Sequence, residues 1–297
     1  RRTIKEDGNV AIRSLEALEK ACENKNIYDV ILEDDCMERG VTREESEKKM
    51  ADLYAAIQHS AQNYTPTLRS ASGMAGGDGA KMRSYVKTGK TICGDELGQV
   101  IAQALEMGEN NACMKCIVAA PTAGSCGVMP AVLLPYQKRM GLSDEEMARA
   151  LYIAGAIGQT VASKASIAGA AGGCQAEIGT ASAMGAAALC YLGGGDAQAV
   201  CHAAAIAIKA MLGLVCDPIA GLVEVPCVKR NAAGAVIAMS SADMALAGIR
   251  SAVPPDEVIL AMREVGDKMD VSLKETGVGG VAGTPFGQKI AEKMGMA

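Results

Sequence analysis

From Gly94 onward the chain is a succession of long segments rich in Ala, Met, Leu and Ile, such as Asp95–Met107, Asp144–Val161 and Ala176–Leu192. This pattern narrows the possible folds more than any other feature. Small and unbranched residues lose little freedom in a helix, and clear period-2 alternation, the mark of a half-buried strand, is hard to find. Stretches rich in Gly and Pro, at Pro121–Gly127, Gly169–Gly173, Asp217–Pro226 and Thr276–Gly283, separate the segments and read as loops. Many small residues on helices imply close helix-to-helix approach. One Phe and no Trp leave the core to aliphatic side chains and Met. The expected fold is all-α, with the loops carrying the chemistry and no internal repeat.

The first 63 residues have a different character, charged and helical. Ile12, Leu15, Leu18 and Ala21 recur near a 3.6-residue spacing, and Thr42-Arg43-Glu44-Glu45 reads as a helix start. The expected division is an N-terminal helical region, residues 1–63, and a catalytic domain, residues 64–297. At the junction, Tyr64–Lys81 holds Ser70-Ala71-Ser72-Gly73-Met74-Ala75-Gly76-Gly77-Asp78, either a loop whose backbone closely approaches something or a linker.

A hydrophobic content of 49% is ample for a buried core, and a net charge of −5 provides no broad basic field for nucleic acid. Of the two most apolar stretches, Ile117–Tyr136 is cut by Pro121, Gly124, Gly127 and Pro130, and Ala197–Val215 carries His202 and Lys209. Neither provides the ~20 uninterrupted apolar residues of a membrane span. No apolar leader opens the sequence, so the 11 cysteines are expected as reduced thiols of a cytoplasmic protein, most of them packing residues.

Three cysteines sit where Gly or Pro frees the backbone from helix geometry: Cys174 after Gly172-Gly173, Cys216 before Asp217-Pro218, and Cys227 after Pro226. Such a setting lets thiolates point into a shared site, with free amides to bond the sulfurs. Three thiolates on a four-iron cluster would leave one iron open as a Lewis acid, whereas four would close the cluster for electron transfer. Their separations match no compact ferredoxin run, so spacing alone decides little. The rival is Cys113-Met-Lys-Cys116, a C-x-x-C with no second such pair, and with neither His59 nor His202 at metal-motif spacing. Cys126 is a reserve candidate. Cys22, Cys36, Cys93, Cys190 and Cys201 read as packing residues or bystanders. Ser163-Lys164 together with Gly193-Gly194-Gly195 suggests the lysine and phosphate loop of pyridoxal-phosphate enzymes, but helical flanks favour a polar helix position and a helix-ending turn.

Four strings carry a resemblance: Ala120-Pro-Thr-Ala-Gly-Ser-Cys126-Gly; Ser166 through Gly179, containing Gly-Gly-Cys174-Gln-Ala-Glu; Leu212 through Gly234, containing Cys216-Asp-Pro and Val-Pro-Cys227-Val-Lys-Arg-Asn; and Glu275-Thr-Gly-Val-Gly-Gly-Val-Ala-Gly-Thr-Pro. From about Ser70 to the C-terminus the chain resembles the alpha chain of bacterial iron-sulfur L-serine dehydratases, with the middle two strings the most specific. The resemblance implies an L-serine ammonia-lyase that converts L-serine to pyruvate and ammonia without pyridoxal phosphate. Its [4Fe-4S] cluster would be held by Cys174, Cys216 and Cys227. The Ser72–Asp78 loop is similar to a Ser-Gly-Leu-Thr-Gly-Gly-Asp segment of the family, with Met74 and Ala75 departing from it, and the family carries asparagine near the position of Lys164. Single-chain relatives have a further domain with a Ser-Ser-His-Thr-type loop that this sequence lacks, so the resemblance implies a separate beta subunit within an oligomer.

Dehydrating serine needs help for a poor leaving group and for a weakly acidic Cα proton. Candidate bases are Lys164, Glu177 or a residue of the missing subunit. Candidate groups for the substrate carboxylate are the loop amides and the hydroxyls of Thr122, Ser125 and Ser166. The alternatives are an iron-sulfur lyase acting on L-cysteine or a hydroxy acid, and a non-enzymatic redox sensor or cluster carrier.

Overall fold

The structure, a computed structural model, describes residues 12–296. Residues 1–11 of the expected N-terminal region and residue 297 lie outside the described part. Thirteen α-helices follow in order among the described residues: α1 (Leu15–Ala21), α2 (Ile27–Arg39), α3 (Arg43–Gln62), α4 (Asp78–Val86), α5 (Gly94–Ala112), α6 (Val128–Met140), α7 (Asp144–Lys164), α8 (Gly169–Gly172), α9 (Thr180–Leu192), α10 (Ala197–Met211), α11 (Cys227–Leu246), α12 (Pro255–Lys268) and α13 (Pro285–Lys293). No strand occurs among them, only one isolated parallel bridge between Cys216 and Lys274. The expected all-α class is the observed one.

Several helix starts follow from local side-chain chemistry. Thr42 and Ser143 each accept the backbone N–H three residues on, while Glu45 and Glu146 return the bond to the cap, so α3 and α7 both open on a capping box. α4 has no cap of its own. Glu109, buried on α5, fills that role by accepting the N–H groups of Asp78 (2.6 Å) and Gly79 (3.3 Å) while Tyr64 Oη donates to it at 2.6 Å. A carboxylate at a helix N-terminus satisfies orphan donors and complements the dipole.

α9 is the central rod, buried from Thr180 to Cys190, and α6, α7, α10 and α11 pack around it. The approach is close because small residues line the crossings. A Cβ at Gly234 of α11 would lie 2.7 Å from Ile178 Cγ2, and one at Gly158 of α7 would lie 2.9 Å from Met184 Sδ. The larger of two apolar clusters among the described residues extends from Leu15 and Leu18 through Ile31, Tyr54, Met147 and Ile153 to Met262, and the smaller one joins Val128, Ile178 and Met211 to Cys174 and Cys216. The N-terminal helices therefore share their core with the later ones. This packing leaves the loops before α6, between α7 and α9, between α10 and α11, and after α12 to meet at one place.

Candidate active site

Cys174 follows Gly173, whose φ of +77° suits glycine and where a Cβ would lie 2.6 Å from the Met269 thioether. It precedes a π-helical turn, Gln175–Gly179, that widens into α9. Cys216 lies in extended chain: its N–H donates to Leu273 O (2.8 Å) and its carbonyl accepts from Glu275 N–H (2.7 Å), which splices the loop before α11 to the loop after α12. Cys227 is the first residue of α11, directly behind Pro226. Cys216 thus has the loop setting read from the sequence, whereas Cys174 and Cys227 stand at helical starts. The difference is physical: a helix N-terminus presents free N–H groups and a favourable dipole to a thiolate. The Ile178 N–H acts in this sense on the Cys174 thiol, opposing the rise due to burial.

All three thiols are free and buried, with 2%, 3% and 8% of Cys174, Cys216 and Cys227 exposed. Burial pushes the Cys174 thiol up to about 11, a rise that Arg230 opposes and Glu177 adds to. Burial raises Cys227 to about 12, with Cys174 and Glu177 adding to it. Cys216 is raised further still, first by burial and then by Glu177, Cys174, Glu275 and Cys227. The structure therefore brings the three within each other's field. Among the described residues no three His, Cys, Asp or Glu side chains stand together as ligands of a single ion. Ligands of different irons of one cluster are spaced more widely than ligands of one ion.

Glu177, on the π-helical turn, faces this group. Its Oε2 lies 3.8 Å from Cys216 Sγ, and its Oε1 accepts a hydrogen bond from Thr122 Oγ1 at 2.8 Å. Burial raises its pKa above the ordinary carboxylate value, against the Thr122 bond and with Glu275 adding to the rise. α8 crowds the same spot, since a Cβ at Gly169 would be 2.8 Å from both Cys216 Sγ and Glu177 Oε2. The Thr122 loop is held by Asn231, buried one helical turn beyond Cys227. Its Nδ2 donates to Gly124 O (2.8 Å) and Cys227 O (3.0 Å), and its Oδ1 accepts from Gly127 N–H (2.8 Å). On the other side, buried Glu224 accepts the hydroxyls of Ser70 (2.6 Å) and Ser72, docking the Ser/Gly loop beside Cys227. That loop is the close-approach kind, since a Cβ at Gly76 would lie 2.3 Å from Leu68 O.

The family profile described as serine dehydratase alpha chain matches residues 22–282. The chain belongs to that family. It is 46% identical over 268 residues to the probable L-serine dehydratase alpha chain of Bacillus subtilis strain 168, covering 90% of this chain and 89% of that one. It is also 46% identical over 265 residues to the L-serine dehydratase alpha chain of Peptoniphilus asaccharolyticus, covering 89% and 91% respectively. L-serine dehydratase 2 of Escherichia coli strain K12 is 46% identical over 183 residues, which are 60% of this chain and 40% of that protein.

In this member of the serine dehydratase alpha chain family the remaining candidates separate. Lys164 ends α7 in an ion pair with Asp256 of α12 (2.9 Å), whose carboxylate also caps α1 through the N–H groups of Leu15 and Glu16. Ser166 accepts the Ala168 N–H at 3.1 Å, and the buried Ser125 hydroxyl serves its own loop through Thr122 and Ala120. Of the three hydroxyls expected at substrate, Thr122 is the one bonded to Glu177. Cys126 is buried against Met107 O and belongs to the packing. Cys113 caps the end of α5 and Cys116 is exposed, with Met114 between them at φ +60°. Gly193–Gly195 close α9 as a turn, with the Gly193 N–H on Leu189 O. Sequence reasoning passed over Asn231 and Arg230. The signal was their position three and four residues after Cys227, which puts them on its face of a helix.

Proposed function

We propose that the chain is the alpha subunit of an L-serine dehydratase (L-serine ammonia-lyase) whose [4Fe-4S] cluster is held by Cys174, Cys216 and Cys227. The observation that carries the reading is three free, buried thiols, drawn from three separate segments into one another's field, in a chain that matches the alpha chains of named L-serine dehydratases along nine-tenths of its length. The residues fit the group. Thiolates crowded together beside Glu177 repel one another, and a cationic iron-sulfur core bonded to all three removes that repulsion. When bound, the cluster would supply an iron without a protein ligand, a Lewis acid suited to the β-hydroxyl of serine.

The chain's own residues supply position and proton handling. Thr122 fixes Oε1 of Glu177, leaving Oε2 turned toward Cys216 and placed to take up a proton beside the thiols. Glu177 is thereby favoured over Lys164, whose ammonium is engaged by Asp256. Gly169 and Gly173 bring backbone against the site without side chains, which narrows it and limits water. Elimination of water leaves an enamine that tautomerises and hydrolyses to pyruvate and ammonia.

The names of the relatives as alpha chains, and a match to only 40% of the Escherichia coli protein, support a beta subunit within an oligomer. Among the described residues no helix is long and apolar enough to cross a membrane, which accords with a place in the cytoplasm. The test is anaerobic reconstitution of the purified chain with iron and sulfide, followed by a pyruvate assay with L-serine, with and without a beta chain. Four irons per chain, and pyruvate only when both chains and iron are present, are expected. Pyruvate formation by an iron-free complex would refute the reading, and full turnover by the alpha chain alone would refute the two-subunit part.

A further inference from the structure

Arg230 lies one helical turn after Cys227, and its side chain reaches across to the segment that carries Cys216. Its Nη1 donates to the carbonyl of Val215 (2.7 Å) and stands 2.8 Å from Oδ1 of Asp217, so it grips the chain on both sides of Cys216. Its guanidinium also acts on Cys174, opposing the rise that burial imposes on that thiol. The contact with Asp217 is one of charge, because Oδ1 has no aligned N–H, and both groups are largely buried, at 18% and 4% exposure. Oδ2 of Asp217 accepts the Val281 N–H at 2.8 Å, which ties in the glycine loop after α12. A Cβ at Gly280 would lie 2.2 Å from that oxygen.

Three thiolates beside Glu177 and Glu275 make a strongly anionic site, and Arg230 is the cation that acts on both Cys174 and Cys227. A planar fork can hold a carbonyl and a carboxylate at fixed angles, which the single ammonium of a lysine cannot do. We propose that Arg230, oriented by Asp217, is a positioning residue for the iron-sulfur group. It holds the Cys216 segment against the helix of Cys227, and its charge stabilises the anionic thiolate-ligated state. This rests on the reading that these cysteines are the ligands. It adds a residue that acts through them and does not itself touch substrate.

Removing Arg230 alone would strand a buried carboxylate, so the informative variant is the double change Arg230→Gln with Asp217→Asn, beside Arg230→Lys. Each is reconstituted anaerobically as the full chain, with folding followed by circular dichroism. Iron content, the rate of iron loss to a chelator and the reduction midpoint potential are then measured. The double variant loses one charge of each sign, and of the two it is Arg230 that acts on the Cys174 and Cys227 sulfurs; we therefore expect it to fold, to release iron at least tenfold faster than the parent and to show a lower midpoint potential. Lysine should restore the potential but leave iron loss fast, a split that a merely structural role would not produce. A double variant that holds iron as long as the parent at an unchanged potential overturns the inference. Cys174→Ser, Cys216→Ser and Cys227→Ser are run in parallel. If all three lose the cluster while the double variant keeps it, only the role of Arg230 fails, and if they retain it the ligand reading fails as well.

Discussion

Asn231→Ala probes how the Thr122 loop is fastened to α11, the helix that opens with Cys227. The side chain is 1% exposed and makes three hydrogen bonds. Truncation leaves the buried Gly127 N–H without an acceptor, a loss of about 1–3 kcal/mol. The Gly124 carbonyl belongs to a half-buried loop that water can reach, and the Cys227 carbonyl keeps its regular helical partner, so the two together add roughly 1 kcal/mol. The sum, about 2–4 kcal/mol, is a large part of the ~5–15 kcal/mol that holds a domain folded. Urea unfolding followed by far-UV circular dichroism should show the midpoint lowered with an unchanged slope. Asn231→Asp conserves volume yet turns a carboxylate oxygen toward two carbonyls. It should be at least as destabilising at neutral pH and recover in part on acidification, as protonation restores a donor. An Asn231→Ala variant within about 0.5 kcal/mol of the parent, the range of ordinary surface changes, would refute this account of the loop.

Changing Cys113 and Cys116 together to Ser should leave iron content and serine turnover intact, because the pair lies at the end of α5 with Cys116 exposed; loss of iron would show that the wrong cysteines were chosen. Gly280→Ala, at φ +59° and against Asp217, should cost about 1–2 kcal/mol in backbone strain and more in displaced contacts, seen as a lower urea midpoint and a lower rate of pyruvate formation. His202 is held below its ordinary pKa by burial and by the charges of Arg250 and Lys209, and its Nδ1 accepts the Ser251 N–H. As pH falls below about 6.5 the unfolded chain takes up the proton first, so stability present above that pH is lost on acidification. The fall in thermal midpoint between pH 7.5 and 5.5 should be shallower in His202→Gln, and an unchanged slope would exclude this histidine as its source.

The helices were legible where periodicity and caps agree. Asp95–Met107 and Asp144–Val161 lie inside α5 and α7, and Thr42 does open α3. Ala176–Leu192 reads as one helix, yet it begins in a π-helical turn, because one widened turn barely disturbs hydrophobic spacing. That turn carries Glu177, so the part of the segment that matters to the site was the part that pattern could not resolve. Cys174, Cys216 and Cys227 stood out by their Gly and Pro neighbours, and the resemblance selected the same three. Cys126 has similar neighbours and is packed in the core, since a glycine beside a cysteine states what the backbone can do and not where the sulfur goes. Arg230, Asp217 and Asn231 act through contacts made between distant segments, which no local window contains.

The splice that joins Cys216 to the segment around Glu275, and Asp217 to Val281, also bears on when the site can form. During synthesis the elements from α5 to α11 can pack on one another once α11 has emerged, because their mutual contacts need no later segment. The thiol group cannot settle until the segment that follows α12 has left the ribosome. On the proposed cluster reading, metal delivery would be an event of the nearly finished polypeptide. A chain stalled before Val281 would present three loosely held cysteines to whatever metals and oxidants surround it, which favours quality-control machinery that removes arrested fragments quickly.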